Sequence, residues 1–274
     1  MPMSRRFAEQ TPYEGYEDAI VEKKDGVVVF TLNRPEKLNA LSPALRLGLK
    51  RILEDVNDDD DAKVLVLTGA GRGFCSGADM AGPPNPNDAP PSRQVMEESR
   101  FGWIARFRSM RKPVLAAVNG VAAGGGFALT LACDVRIASD QARFITAFMR
   151  RAILPDQCST WLLPHLVGTS RALLMHWLSD EVKAEEALRI GLADMVVPHA
   201  DLMTKTMELA NRLARGPSMT IELTKQAVYH AMGASLETHA EYEENLLNKV
   251  HHSEDVKEGR LAFREKRQPV FKGR

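Results

Sequence analysis

The chain has 274 residues, 44% hydrophobic and 26% charged, enough for one sizeable core. Its 36 Lys and Arg balance 36 Asp and Glu, so no global field favours nucleic acid. Three widely spaced cysteines, Cys75, Cys133 and Cys158, form neither a disulfide framework nor a metal-ligand pattern, and no apolar run reaches the length of a secretory leader or membrane span, so the expectation is a soluble cytoplasmic protein.

Residues 1–17 are polar and read as a frayed start. Residues 26–33 (GVVVFTLN) are rich in β-branched side chains and read as a strand. A loop follows over 34–41, where Pro35 holds the chain away from helix. Ser42-Pro43 is a helix start, and Leu45, Leu49, Ile52, Leu53 and Val56 recur at helical spacing up to the acidic stop at 58–61. Residues 63–68 form the next strand and 69–73 a glycine turn. Residues 81–93, with their many prolines, suit neither helix nor strand and read as a surface loop that could cover a pocket. A helix ends near Arg111, and 134–139 is another strand. A helix is expected from 157 to 166, a short strand over 192–198, and helices from 200 to the end, broken at Gly216-Pro217 and Gly233. Strand and helix alternate, which is an α/β pattern. A boundary near residue 200 separates a 1–199 core from a 200–274 helical region.

The stretch from Lys112 to Asp134 organises the rest. An apolar run suited to a buried strand meets Gly120 and Gly124–126, then leaves as FALTLAC, which suits a buried helix. Glycines there let backbone approach a ligand closely, and a helix N-terminus offers unpaired N–H groups to negative charge; tight helix packing on a sheet explains the same residues. The spacing is not G-x-G-x-x-G, which excludes a dinucleotide fingerprint. All seven histidines lie from His165 onward, at no triad spacing. Asp156 before QCSTWLL has the pattern of a helix N-cap.

Five stretches together resemble one family: NRPEKLNAL at 33–41, FCSGADM at 74–80, the glycine-rich stretch, Pro155-Asp156 with WLLPHLVG at 161–168, and EGRLAFREKR at 258–267. In order and spacing, over nearly the whole chain, they are similar to the crotonase (enoyl-CoA hydratase/isomerase) superfamily. The resemblance implies a spiral of ββα units followed by a C-terminal helical region that assembles a homotrimer or a dimer of trimers. It implies an acyl-CoA thioester as substrate, with coenzyme A entering as part of the substrate and no separate cofactor or metal. Two backbone N–H groups, those of Ala78 and Gly125, would hold the thioester oxygen while it carries enolate charge. Lys37, Ala40, Ala78, Asp79 and Met80 would hold the CoA portion, Gly124, Gly125 and Phe148 the acyl end, and Phe263 and Lys266 would reach a neighbouring subunit's site. Arg150 and Arg151 would face CoA phosphates or solvent.

The hydratases of the family carry two glutamates where this chain has Ala128 and Phe148. Hydration needs an acid and a base, so a standard hydratase mechanism is not expected. Asp156 matches the position where some isomerases and a dehalogenase of the family carry a catalytic aspartate, and this role is compatible with capping. The leading expectation is double-bond isomerisation with Asp156 as the acid/base. The alternatives are a non-catalytic acyl-CoA binder, or hydration, hydrolysis or dehalogenation with a relocated acid or with Asp156 as nucleophile.

Overall fold

Asp25 and Gly26 turn the chain back on itself with φ of 52° and 78°, the conformation a two-residue hairpin requires. The turn joins β1 (Ala19–Lys24) to β2 (Val27–Leu32) in antiparallel register, Ala19 opposite Leu32. A computed structural model describes residues 13–79 and 102–274. Sequence reading found β2 but passed over β1, whose side chains are mostly exposed and so carry little apolar signal. Residues 13–17 are anchored rather than frayed. The Tyr13 and Tyr16 hydroxyls donate to Asp59 and Asp55 at 2.6 and 2.7 Å, and the Tyr16 ring meets Phe30 edge-on at 5.7 Å. Asp55 lies in the last turn of α1 (Pro43–Asp58) and Asp59 is its C-cap; the helix starts as expected, with Ser42 Oγ accepting from the Leu45 amide at 3.0 Å.

The chain then repeats one unit. A strand of a first sheet runs through a short turn into a strand of a second sheet, and a helix follows. The pairs are β3 (Val64–Gly69) with β4 (Gly73–Cys75), β5 (Val114–Val118) with β6 (Val121–Ala123), and β7 (Val135–Ser139) with β8 (Arg143–Ile145). Their helices are α2 (Gly102–Ser109), α3 (Gly125–Ala132) and α4 (Ser159–Val167). The first sheet has the order β1-β2-β3-β5-β7-β10, closed by β10 (Met195–Val197); the second runs β4-β6-β8-β9, closed by β9 (Val182–Lys183). From β2 onward the first sheet is parallel, and β3 and β5 are buried along their whole length. Both faces are therefore covered, as a parallel sheet requires. Leu65, Leu67, Ala116 and Val118 face a core shared with α1, while Val64, Val66, Leu115 and Ala117 pack against Leu202 and Ala210 of α7 (Leu202–Ala214). The three-residue β6, hidden in the glycine-rich stretch, is what makes the unit ββα.

The other helices are α5 (Thr169–Leu178), α6 (Ala184–Arg189), α8 (Ser218–Ala231), α9 (Leu236–His251) and α10 (Glu254–Glu265). No described helix is long and apolar enough to cross a membrane. From Pro217 onward, among the described residues, just Leu246, Ser253, Asp255 and Ala262 are buried. Helix α8 is fastened by polar chemistry instead. Lys225 Nζ donates to Asp134 Oδ2 at 2.7 Å and to the Phe107 and Lys112 carbonyls at 3.0 Å, while Tyr229 donates to Asp134 Oδ1 at 2.6 Å. Asp134 also accepts from the Val114 amide at 2.7 Å, so one carboxylate ties the tail to β5.

Removing one partner of such a pair leaves a buried charge uncompensated. Lys225→Met is expected to lower the unfolding free energy by about 3–5 kcal/mol in chemical denaturation, and adding Asp134→Asn to recover part of it. Asp59 carries a second signal. Burial alone would raise its carboxyl, but hydrogen bonds from Lys23, Tyr13 and the Asp61 amide outweigh that and hold it at about 2. Its folded value lies below its unfolded one, so its contribution is present above about pH 4 and is lost as pH falls towards 2. Asp59→Asn should therefore lose less stability than wild type between pH 5 and pH 2; equal slopes in acid titrations of unfolding would contradict this.

Candidate active site

Asn39 sets the shape of the 34–41 loop. It is fully buried with a left-handed φ of 56°, which asparagine tolerates better than most residues. Its Nδ2 donates to the Ala70 and Gly73 carbonyls at 3.0 and 2.8 Å, and its Oδ1 accepts from the Arg34 amide at 2.8 Å. Arg34 in turn donates from Nη1 to the Ala40 carbonyl at 2.8 Å and pairs through Nη2 with Asp79 at 2.9 Å. Lys37 is half exposed, with Nζ 4.0 Å from Asp79. The Ser76 amide donates to the Leu38 carbonyl at 2.9 Å, and the Leu41 amide to the Gly77 carbonyl at 2.7 Å. Leu41 and Ala78 thus form a parallel bridge. The pairing runs through the Gly77 carbonyl, so it does not consume the Ala78 amide. Lys37, Ala40, Ala78 and Asp79 are brought together. Met80 and the 81–93 loop lie outside the described residues.

The glycine-rich stretch meets this segment edge to edge. Gly77 has φ of 93°, and a β-carbon on it would stand 2.8 Å from the Ala123 carbonyl oxygen and 3.1 Å from the Gly125 nitrogen. Only glycine allows that approach. Gly126 is pressed just as closely against Cys75, where a β-carbon would overlap the carbonyl oxygen. Helix α3 begins at Gly125, so its first amides have no carbonyl partner within the helix. Gly124, its N-cap, is fixed by its amide donating to the Ile145 carbonyl at 3.0 Å. The backbone at Ala78 and at Gly125 therefore lies on opposite sides of one glycine contact.

The third component comes from the turn before α4. Gln157 and Cys158 both take left-handed φ, 56° and 58°, which bends the 155–158 run back towards α3. The Gln157 Nε2 lies 3.7 Å from where a Gly125 β-carbon would be, with Leu41 Cδ1 at 3.1 Å on the same side. Asp156, half-buried, is the neighbour of this amide. It is not the helix cap expected from the sequence: the N-cap of α4 is Cys158, and Asp156 contributes its backbone carbonyl, accepting from the Ser159 amide at 3.0 Å. Two left-handed residues in succession push the helix start beyond reach of the usual capping pattern.

Ala128 and Phe148, which the sequence resemblance sets against the two glutamates of the hydratases, are both buried. Ala128 is wholly buried in the middle of α3, and Phe148 is 8% exposed, with its carbonyl closing the turn through Arg151 and Ile153. Arg150 is turned to the Ser179 carbonyl at 2.6 Å. Cys75 is core, its thiol pushed up to about 12 by burial. No cluster of His, Cys, Asp and Glu able to hold a metal occurs among the described residues. Phe263 and Lys266 sit on α10 and its C-cap, Phe263 85% exposed, and among the described residues no hydrogen bond or ion pair joins them to the Gly77–Gly125 contact. Sequence reading gave no role to Arg34, Asn39 or Gln157; Arg34 and Asn39 belong to the 33–41 motif, Gln157 lies in none of the motifs, and the Asp79, Ala70 and Gly73 partners of the first two are more than thirty residues away in the chain.

Comparison with known proteins agrees with this arrangement. The family model for enoyl-CoA hydratase/isomerase matches residues 22–274. The chain is 38% identical over 258 residues to the 1,2-epoxyphenylacetyl-CoA isomerase of Escherichia coli (strain K12), covering 93% of this chain and 97% of the relative. It is 34% identical over 256 residues to the short-chain-enoyl-CoA hydratase of Clostridium acetobutylicum, covering 91% and 95%. The crystal structure of an enoyl-CoA hydratase from Bacillus anthracis superposes with a TM-score of 0.83 at 33% identity, covering 94% of this chain and all of that one. A match over nearly the full length, with the ββα spiral and its glycine contact in place, makes this chain a member of the enoyl-CoA hydratase/isomerase family, the crotonase superfamily of enzymes.

Proposed function

We propose that the protein shifts a double bond in an acyl-CoA thioester through an enolate, with Asp156 as its acid/base and the amides of Ala78 and Gly125 as the oxyanion donors. The observation that carries this reading is the convergence at Gly125. The backbone of Gly77 stands against its nitrogen, and the Gln157 carboxamide, next in sequence to Asp156, lies with its Nε2 3.7 Å from the position a β-carbon on Gly125 would take. Donors fixed by backbone packing are aimed before charge develops, which is when they contribute most to catalysis. A carboxylate next to them can take a proton from a carbon two bonds beyond the α-carbon of an unsaturated thioester. The C–H electrons pass into a dienolate whose negative oxygen the two amides hold, and the same carboxyl returns the proton to the α-carbon. No water enters the balance, which suits the apolar replacements at Ala128 and Phe148. Lys37 beside the Arg34–Asp79 pair would attract the CoA phosphates, and Ala40, Asp79, Gly124 and Phe148 complete the binding surface. The reaction needs no cofactor beyond the CoA carried by the substrate.

Self-association belongs to the same proposal. Val228, Leu236, Leu247 and Phe263 in the tail, and Trp177 and Leu178 on α5, are 58, 79, 51, 85, 59 and 59% exposed in the single chain. Apolar surface of this extent on helices is what a trimer or dimer of trimers would bury. A neighbouring copy would also be the means of bringing Phe263 and Lys266 to a site. Sedimentation at micromolar concentration is expected to give three or six chains; a stable monomer would count against the assembly.

Asp156→Asn keeps the side chain's shape and removes the base. It should fold and bind acyl-CoA as wild type does and lose turnover of an enoyl-CoA by about two to four orders of magnitude. Undiminished turnover in a folded mutant would move the chemistry to another residue. Tight binding of enoyl-CoA thioesters by wild type with no turnover of any would favour a non-catalytic binder, and formation of a 3-hydroxyacyl product would favour hydration.

A further inference from the structure

Among the described residues Arg108 of α2 makes no ion pair, and its one hydrogen bond runs from Nη1 to the Met232 sulfur, a weak acceptor, at 3.2 Å. Its Nε is buried with no partner. The guanidinium lies 4.4 Å from the ring centroids of both Trp161 and Tyr229. Rings attract the charge through their faces but leave the N–H groups of the fork to be satisfied separately. The carboxylate of Asp134 is near enough to be felt, yet it is taken up by Lys225, Tyr229 and the Val114 amide. Arg108 stands in the wall of a cavity of about 770 Å³ between α2, α4, α8 and α9. Ile104, Leu162, Trp161 and Tyr242 give this cavity apolar and aromatic walls, Gln226 and His230 add polar groups, and no Asp or Glu among the described residues lines it.

We infer that this cavity is a carboxylate-binding site, in which the Arg108 guanidinium pairs with the carboxylate of a ligand whose apolar body lies among Trp161, Tyr229 and Tyr242. The volume is that of a small-molecule site. A guanidinium whose fork is unfilled matches the two oxygens of a carboxylate, and a wall without acidic residues does not repel them. Apolar walls favour a singly charged carboxylate over a phosphate, because each added charge must be stripped of water. A partly buried cation without a counter-ion costs stability, and a ligand carboxylate supplies the missing partner. Cys158 is in the cavity wall and next in sequence to Gln157, which puts the cavity beside the candidate active site. The carboxylate then has two sources, a free acid or the far end of an acyl-CoA chain. The second rests on the acyl-CoA reading above; the first does not.

The test uses two pairs of ligands that differ in a terminal carboxylate, hexanoate against hexanamide and adipyl-CoA against hexanoyl-CoA, measured by calorimetry on the full chain. In at least one pair wild type should bind the carboxylate member about tenfold or more tightly than its neutral partner. Arg108→Met should abolish that preference while leaving the neutral member within about threefold, and Arg108→Lys, which keeps the charge without the fork, should retain part of it. A preference for hexanoate identifies a free acid as the ligand; a preference for adipyl-CoA alone identifies the far end of an acyl chain. Absence of a preference in both pairs, or one that survives in Arg108→Met, overturns the inference, as does a variant that weakens charged and neutral members alike, which is the mark of an arginine that only clips Trp161 to Tyr229. Binding of hexanoyl-CoA keeps the two readings apart. If the thioesters bind without preference and hexanoate does not bind, the carboxylate site fails and the acyl-CoA reading stands; if hexanoate is preferred and no thioester binds, the site stands and the acyl-CoA reading fails. Should Arg108→Met not fold, Arg108→Gln is measured in the same way; failure of both to fold makes Arg108 structural and overturns the inference.

Discussion

The molecule is organised by one backbone contact, Gly77 against Ala123 and Gly125, with Gly126 pressed on Cys75 beside it. Everything that positions the candidate chemistry depends on two pieces of main chain approaching with no side chain between them. The contact joins consecutive turns of the ββα spiral, because β4 leads to Gly77 and β6 leads to Gly125. Parallel pairing of β4 with β6 sets the distance, and glycine at 77 and 126 permits it. Amides held in this way cannot be adjusted by side-chain rotation, so their aim is a property of the fold. The 34–41 loop serves the same end. Asn39 satisfies three backbone groups, and Arg34 and the Leu41–Ala78 bridge then lock the loop to the segment that carries Ala78 and Asp79.

Around this fixed frame the polar inventory is small. Ala128 and Phe148 stand where the sequence resemblance would place the two glutamates of the hydratases, and both are buried. Gln157, on the bent run at 156–158, brings its carboxamide beside Gly125, and the left-handed residues of that run put Cys158, not Asp156, at the N-cap of α4. Relatives in the family carry names of both isomerases and hydratases.

The tail is held by different physics from the core. Helix α7 closes the parallel sheet with aliphatic packing, whereas α8 is fastened to β5 through the Lys225–Asp134–Tyr229 cluster and turns Val228 outward. Arg108 reinforces the seam, its guanidinium 4.4 Å from the ring centroids of both Trp161 and Tyr229. A buried ion pair adds less net stability than aliphatic packing would, but it fixes one orientation of the helix. That orientation sets where the exposed apolar faces point.

Local chemistry made much of this legible from the amino-acid sequence. Ser42-Pro43 with the Leu45–Val56 spacing determined α1, and the aliphatic runs at 64–68 and 114–118 determined buried parallel strands. Motif order brought the family and the positions of Ala78 and Gly125 into view. Short strands escaped: β1 is largely exposed, and β4, β6 and β8 have three residues each, too few for a period-two pattern to register. Asp156 was legible as a helix cap because capping depends on spacing, and the structure denied it because Gln157 and Cys158 take positive φ that neither residue type announces. Only the tertiary structure decided that Gly77 faces Gly125, that Asn39 closes a turn more than thirty residues away, and that the Gln157 carboxamide stands beside Gly125. Those facts arise from pairing between β4 and β6, a contact between distant segments that no local window of sequence contains.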